Sequence, residues 1–328
     1  MLRALMAASV ALTLAVAPAQ AAEEINFGVI STEASSNLKK IWEPFLADME
    51  KGTGLKINAF FASDYAGVIE GMRFKKVQIA WFGNKSAMEA VDRAEGEVFA
   101  QTVAANGDAG YWSHIIVHKD SPYQNLDDVL KCDKSLDFGI GDPNSTSGFL
   151  VPTTFIFSAK NIDPKVCFKT VRNANHEANA LAVANKLVHA AANNSENLER
   201  IGKTAPAARE NIRVIWTSPL IPSDPLVWRK DLDAGLKKKL SDFLFSYGKS
   251  GNAEADASAK KILAELQWAP FKKSDNNQLL PIRQMELNKE IAKLKGDEKI
   301  AAADKASKLA EMEKQFAELN KQIASMKQ

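Results

Sequence analysis

Short apolar stretches alternate with amphipathic stretches along the first third of the chain. Residues 25–30 form a β-rich run, and apolar residues then recur at helical spacing from Leu38 to Met49. The alternation continues, and it predicts strands at 55–61, 77–81, 98–103 and 111–118 and helices at 36–51, 65–74 and 85–93. This β-α-β-α order predicts a parallel sheet covered by helices.

A second alternation begins after Ser121 and Pro122. It predicts strands at 136–140, 169–171, 188–192 and 212–217 and helices at 126–131, 148–160, 174–186 and 196–201. A proline-marked segment at 218–222 and a strand at 226–228 follow, and helices are predicted from there to the end. Two such units predict an α/β protein of two lobes around a cleft, with hinges at 118–122 and 218–222. Ligands of open parallel sheets bind at the carboxyl ends of the strands, so the strand-to-helix turns are the places to look for functional residues.

The amino terminus has the parts of a secretory signal peptide. Arg3 precedes an apolar run at 4–17, and an Ala-x-Ala site ends at Ala21. The run is short for a membrane span, which takes about 20 residues, although an N-terminal anchor helix is the alternative. We therefore expect cleavage near Ala21 and export, to a bacterial periplasm. The 328-residue chain carries 42 basic and 40 acidic residues, a balance that excludes a polybasic nucleic-acid binder.

The two cysteines, Cys132 and Cys167, are expected to form a disulfide in such an oxidising compartment. Each lies just before a predicted strand, and neighbouring parallel strands would bring them together. The bridge would contribute about 3–4 kcal/mol in the chain-entropy model. The alternative is a pair of small buried thiols.

The turn at 141–149 is the strongest candidate for a binding site. Ser145, Thr146 and Ser147 stand at the start of a predicted helix, next to Gly148. Free backbone N–H groups at a helix start carry partial positive charge, and hydroxyl groups add hydrogen-bond donors. The pattern suits a tetrahedral oxyanion bound without a dedicated lysine or arginine. The alternative is an ordinary N-cap, which explains one of the three hydroxyls.

Four further residues lie at the ends of predicted elements. Tyr65 opens a helix after a strand and Tyr111 lies near the first crossing, while Glu196 follows a strand and Asp224 adjoins the second crossing. Each has a plain structural alternative: a tyrosine that packs over an element end, or an acid that caps a helix or faces solvent. Two carboxylates facing an anion site are unfavourable unless the ligand also carries a cation. If both acids face the cleft, they predict a zwitterionic ligand.

Five segments resemble the PhnD-type phosphonate-binding periplasmic proteins. They are SDYAGVIEGMRF at 63–74, IAWFGN at 79–84, DPNSTSGF at 142–149, HEANALAVAN at 176–185 and SPLIPSDP at 218–225. The resemblance covers roughly residues 25–283. It implies a two-lobed type II periplasmic-binding-protein fold, a "Venus flytrap" that delivers its ligand to an ABC importer in the inner membrane. The implied ligand is a phosphonate, with 2-aminoethylphosphonate first and phosphite, methylphosphonate or a phosphate ester as alternatives.

The resemblance also implies roles for individual residues. Tyr65, the three hydroxyl residues and His176 would hold the phosphonate oxygens. Glu196 and Asp224 would bind the ligand ammonium, and Tyr111 would border the pocket. The sequence departs from the family pattern at two positions. Phe82 stands where tyrosine is also expected, and His189 stands where aspartate is common. These departures concern selectivity between ligands more than the class of ligand.

The implied domain plan places a signal peptide at 1–21, lobe 1 at 22–118 and lobe 2 at 119–221. Lobe 1 returns at 222–285, and an amphipathic tail follows at 286–328. In this tail, apolar residues repeat at heptad spacing at Leu309, Met312, Phe316, Leu319, Ile323 and Met326. This seam predicts either a helix lying on its own lobe or a homodimer contact.

An enzyme is the remote alternative. Ser145, His176 and Asp142 have the residue types of a secreted hydrolase, but no Gly-x-Ser-x-Gly elbow surrounds the serine. The four histidines form no His-Glu-x-x-His pair, so neither a metal site nor any other cofactor is expected.

Overall fold

A computed structural model describes residues 23–325 of the chain. The predicted signal peptide and Met326 lie outside the described residues. Two mixed β-sheets are each covered by helices. The first sheet has the strand order β13-β4-β12-β3-β1-β2, with β1 Glu24–Val29, β2 Lys56–Phe61, β3 Ile79–Trp81, β4 Gly96–Ala104, β12 Pro225–Arg229 and β13 Trp268–Lys273.

Strands β1, β2 and β3 are parallel, whereas β12 runs antiparallel to both β3 and β4. The helix Ser35–Thr53 covers this sheet with an apolar face, burying Leu38, Trp42, Phe45, Leu46 and Met49. The spacing of these residues matches the helical period that the sequence predicts. The helix ends at Gly54, whose φ of 68° favours glycine.

The second sheet has the strand order β10-β6-β9-β7-β8. Its strands are β6 Ser113–His118, β7 Asp137–Ile140, β8 Thr170–Asn173, β9 Ala190–Asn194 and β10 Ile212–Thr217. Strands β7, β8 and β9 are parallel, and β6 and β10 are added in antiparallel pairings. Both sheets are therefore mixed, although the sequence predicted parallel sheets. Local periodicity does not report the direction of a pairing between distant strands.

The chain passes between the two sheets at a short antiparallel ladder. Strand β5, Gly110–Tyr111, pairs there with β11, Ile221–Pro222. The predicted second hinge at 218–222 overlaps this ladder, but the predicted first hinge at 118–122 is wrong. Strand β6 already belongs to the second sheet, so the first crossing lies before Ser113.

The remaining helices connect the strands. They span Tyr65–Arg73, Asn84–Arg93, Leu126–Val129, Pro164–Cys167, His176–Ala184, Ser195–Thr204, Pro206–Glu210, Ala234–Ser246, Ala253–Glu265, Asn276–Leu279, Leu280–Gly296 and Ala302–Ser325. The helix predicted at 148–160 is wound with the wide π-type hydrogen bonding over Thr146–Leu150 and Thr153–Ser158. Wide turns of this kind are concentrated at functional sites.

The sequence predicted only helices after the strand at 226–228. The carboxy-terminal part also contains a strand, because β13 joins the first sheet at its edge. The last helix packs on the preceding helix of its own chain, where Lys295 lies 3.5 Å from Glu313. Its seam residues from Leu309 to Ile323 are only half-buried there. This packing accords with the first interpretation of the heptad seam and gives no support to a homodimer.

A disulfide joins Cys132 and Cys167, 35 residues apart in the chain. Strands β7 and β8, which follow the two cysteines, are parallel neighbours, as the sequence reasoning required. Within residues 23–325, no helix combines the length and apolarity that a membrane crossing requires.

Candidate ligand-binding cleft

One cavity between the two sheets is lined by all eight residues that the sequence singled out. It measures about 380 Å³ including its open mouth. The hydroxyl residues Ser145, Thr146 and Ser147 line it together with His176 and Tyr65. Tyr111, Glu196 and Asp224 line the same cavity. The structure therefore brings together residues that lie up to 159 positions apart in the chain, from Tyr65 to Asp224.

The three hydroxyls at the helix start have different partners. Ser145 is the N-cap, since its Oγ accepts from the N–H of Gly148 at 3.0 Å. Thr146 Oγ1 accepts from the N–H of Lys85 at 2.9 Å, which links it to the first lobe. Ser147 Oγ accepts from the amide of Asn194 at 3.0 Å. Ordinary capping therefore accounts for Ser145 alone, and the first N–H groups of this helix have no acceptor within the helix.

His176 opens its own helix and reaches the same hydroxyls. Its Nε2 lies 3.4 Å from Ser145 Oγ and 3.5 Å from Ser147 Oγ, and the amide of Asn194 lies 3.3 Å away. Burial and the nearby charge of Arg200 lower the pKa of His176 to about 4. The imidazole is thus neutral at physiological pH and binds as a dipole rather than as a cation.

Two tyrosines border the cavity as protonated phenols. Burial raises the pKa of Tyr65 far above its ordinary value, and the nearby charge of Asp142 adds to this. Burial likewise raises the pKa of Tyr111, together with the charges of Asp224 and Glu196. Tyr111 donates its O–H to Asp224 Oδ1 at 2.9 Å. Both phenols therefore keep their proton, and that of Tyr111 is already donated to Asp224.

Two carboxyl groups reach the cavity from separate elements. Glu196 lies in the first turn of the helix Ser195–Thr204, and Asp224 lies in the turn between β11 and β12. Burial raises the pKa of Glu196 to about 7, although Arg200 opposes the rise. Burial also raises the pKa of Asp224, and the charge of Glu196 raises it further. Each acid is thus costly to ionise in this cavity unless a cation accompanies it.

The comparisons with known proteins decide the family. Residues 27–279 match the model of the periplasmic substrate-binding proteins of ABC phosphonate transporters. The chain belongs to this family. It is 53% identical over 313 residues to the phosphonates-binding periplasmic protein of Escherichia coli K12, covering 94% of this chain and 90% of that protein.

Solved structures agree with this assignment. The binding protein component of an ABC phosphonate transporter from Pseudomonas aeruginosa is 55% identical and superposes with a TM-score of 0.89, over 94% of this chain and 100% of that one. By sequence, a more distant relative is a probable ABC transporter phosphite binding protein from Prochlorococcus marinus, which is 25% identical over 81% of this chain and 90% of its own length. The protein is thus a phosphonate-binding periplasmic component of an ABC transporter, with the two-lobed fold that the sequence predicted.

Sequence reasoning missed two charged residues of this phosphonate-binding protein. Arg200 lines the cavity, although we expected no arginine there, and its Nε lies 2.5 Å from Glu33 Oε1. Its Nη2 donates to Gln267 Oε1 at 3.0 Å. Glu33 follows β1 and Arg200 lies beyond β9, so the pair bridges the two lobes. The i, i+4 spacing of Glu196 and Arg200 on one helix was the available signal.

The cavity also holds polar atoms without partners. Within the described part of the chain, buried atoms of five lining residues have no hydrogen bond: Thr32 Oγ1, Trp81 Nε1, His176 Nδ1, Asn197 Oδ1 and Arg200 Nε, the last of which is ion-paired with Glu33. Buried polar groups are normally satisfied, so this concentration indicates a place that a polar ligand or water completes. Trp81 lines this cavity, whereas Trp112 lines a neighbouring one.

The geometry does not favour the hydrolase alternative. The carboxylate of Asp142 accepts from the N–H of Tyr65 at 3.2 Å and from the N–H of Asn144 at 2.7 Å. It therefore holds the turn and the opposite lobe, and among the described residues no hydrogen bond joins it to His176. Ser145 serves as an N-cap. The family to which the chain belongs is the substrate-binding component of a transporter.

Proposed function

We propose that this protein captures 2-aminoethylphosphonate in the periplasm and delivers it to the permease of an ABC importer. The observation that carries the proposal is the composition of one cavity. Hydroxyl, imidazole and helix-start N–H donors share it with two carboxyl groups, the buried Asp224 and the partly exposed Glu196. A ligand with an oxyanion and an ammonium group satisfies both sets of residues.

The proposed phosphonate site consists of Ser145, Thr146 and Ser147, with Tyr65 and His176. The neutral His176 and the protonated Tyr65 supply hydrogen bonds without adding charge. The start of the helix adds N–H groups and the positive end of its dipole. Together they suit an oxyanion with three oxygen atoms.

The proposed ammonium site consists of Glu196 and Asp224, bordered by Tyr111. Ionising either acid in the empty cavity is unfavourable because of burial, and each charge opposes the other. A bound ammonium removes this penalty and makes charge-assisted hydrogen bonds. Methylphosphonate, phosphite and phosphate lack a cation and leave the penalty in place.

Contacts between the lobes couple capture to closure. Thr146 Oγ1 accepts from the N–H of Lys85, and Asp142 accepts from the N–H of Tyr65. The ion pair of Arg200 and Glu33 adds a third contact at the cavity. We infer that the ligand docks on one lobe and that the other closes over it, so ligand binding shifts the population toward the closed form.

The test is calorimetric titration of the full mature protein with 2-aminoethylphosphonate, methylphosphonate, phosphite and phosphate. The variants are Glu196→Gln and Asp224→Asn, which keep size and remove charge. We expect each to weaken 2-aminoethylphosphonate by about 2–5 kcal/mol and methylphosphonate much less. Glu199→Gln is the matched control, because this exposed acid lies on the same helix as Glu196 and outside the cavity.

Equal losses for both ligands would show that the two acids do not bind an ammonium group. A wild-type protein that prefers phosphite or phosphate to both phosphonates would replace the proposed ligand with that oxyanion. Turnover of a phosphonate, in place of stoichiometric binding, would revive the hydrolase alternative.

A further inference from the structure

The two oxygen atoms of Asp224 have different surroundings. Its Oδ1 accepts from the phenol of Tyr111 at 2.9 Å and from Asn84 Nδ2 at 3.4 Å. Within the described residues, no side-chain hydrogen bond is made to its Oδ2. The donors thus converge on one oxygen, and the other remains for a ligand.

The direction of the Asn84 amide is set by the backbone. Asn84 is fully buried, and its Nδ2 donates to the carbonyl of Pro222 at 2.7 Å. A carbonyl oxygen only accepts, so the NH₂ group must lie on this side. The same NH₂ group has a second hydrogen, which is the one directed to Asp224. The Oδ1 of Asn84 therefore lies on the opposite side, where it accepts from Gln278 Nε2 at 3.0 Å.

The direction of the Gln278 amide is set in the same way. Its Nε2 also donates to the carbonyl of Ser223 at 3.1 Å, and its Oε1 accepts from the hydroxyl of Ser274 at 2.5 Å. The Oε1 of Gln278 thus accepts from Ser274, and its Nε2 donates to Asn84. The Oδ1 of Asn84 accepts this hydrogen bond, and its Nδ2 donates to Asp224. The series Ser274, Gln278, Asn84 thus ends with a donor aimed at Asp224.

This series comes from two distant parts of the chain. Asn84 opens the helix that follows β3, whereas Gln278 lies in the short helix Asn276–Leu279 after β13. Gln278 also contacts the turn that carries Asp224, through Ser223. The amide of Gln101 donates to the same Ser223 carbonyl at 2.9 Å. Two amides therefore hold the turn at one carbonyl oxygen, and of residues 222–224 only Asp224 lines the cavity.

We propose that Asn84 and Gln278 are positioning residues that hold Oδ1 of Asp224, leave Oδ2 for the ligand cation, and so set the preference for aminophosphonates over alkylphosphonates. This inference rests on the proposed function. It assigns selectivity to Gln278, a residue that does not line the cavity.

The test measures one ratio, the Kd of methylphosphonate divided by the Kd of 2-aminoethylphosphonate, by calorimetry. In Asn84→Leu, Asp224 and the carbonyl of Pro222 each lose a donor, and Gln278 Nε2 loses its acceptor, so we expect the ratio to fall about tenfold. In Gln278→Leu, the Asn84 amide loses the partner of its Oδ1, and we expect a fall of about threefold. Methylphosphonate affinity should change by less than about threefold in both variants.

Asn179→Leu is the control for loss of a buried amide. Asn179 is buried, donates to the carbonyl of Ile140 at 3.2 Å and does not line the cavity. We expect it to lower thermal stability and leave the ratio unchanged. A general structural loss would weaken 2-aminoethylphosphonate and methylphosphonate together in all three variants. A positioning role changes the ratio of the two Kd values in Asn84→Leu and Gln278→Leu only.

The inference is wrong if Gln278→Leu and any folded Asn84→Leu keep the wild-type ratio while Asp224→Asn reduces it. In that case the ammonium site stands and its support lies elsewhere. If Asp224→Asn also keeps the ratio, the proposed function fails instead. If Asn84→Leu does not fold, Gln278→Leu alone decides, because Gln278 is half-buried and near the end of the α/β part.

Discussion

Replacing Glu196 with glutamine should stabilise the ligand-free protein, even though it weakens the proposed ammonium site. Burial raises the pKa of this carboxyl group from 4.5 to about 7. Between these two pH values the folded protein holds a proton that the unfolded chain releases. The free energy of unfolding therefore falls as pH rises through this window, and the loss is complete above about pH 8.

The magnitude follows from the shift in pKa. A rise from 4.5 to about 7 corresponds to about 3 kcal/mol of lost stability at pH 8. Glu196 is partly exposed to the cavity, and solvent screening reduces this to about 1–2 kcal/mol. At pH 5 the unfolded chain is itself partly protonated at this position, so the loss there is below about 0.5 kcal/mol.

The assay is urea denaturation of wild type and Glu196→Gln without ligand, at pH 5 and pH 8. We expect the variant to exceed the wild type by about 1–2 kcal/mol at pH 8 and to match it closely at pH 5. Glu199→Gln, from the exposed side of the same helix, should show a much smaller difference. An advantage of equal size at both pH values, or a wild type that is the more stable at pH 8, would refute the reasoning.

Three further predictions concern other parts of the molecule. Replacing Cys132 and Cys167 by serine should lower the free energy of unfolding by about 3–4 kcal/mol, measured by urea denaturation. A reductant should lower the free energy of unfolding of the wild type and leave that of the variant unchanged. Arg200→Met removes an inter-lobe ion pair, so methylphosphonate, which has no ammonium group to contact Glu196, should bind more weakly in calorimetry; an unchanged affinity for methylphosphonate would contradict a role in closure. Thr146→Val removes a hydroxyl and its acceptor for Lys85, and it should weaken all phosphonates alike, with any ligand-selective effect counting against the proposed phosphonate site.

Much of the fold was predictable because strand and helix signals are local. The helix Tyr65–Arg73 and strand β10 lie within one residue of their predicted bounds. Strand β13 was missed because its sequence, WAPFKK, contains a proline and lacks a clear alternation. The segment is a strand because it pairs with β4, and the local pattern does not indicate this pairing.

The candidate site was partly predictable for a related reason. Residues at strand-to-helix turns, such as Tyr65 and Ser145, are marked by their place in the α/β order. Arg200 carried no such mark, because it lies in the second turn of a helix and reaches the cavity along its side. Asn84 and Gln278 were not singled out either, since amides do not stand out in a sequence until their partners are known.

The amino-acid sequence was enough to predict the α/β class, the three hydroxyls at one helix start and the acids at two element ends, because these depend on neighbouring residues in the chain. The folded molecule was needed to show that Tyr111 contacts Asp224, that Glu33 pairs with Arg200 and that β6 belongs to the second sheet. Such contacts join segments more than 70 residues apart, and they depend on how the packed sheets meet. A raised carboxyl pKa belongs to the second group as well, since burial is a property of the folded molecule.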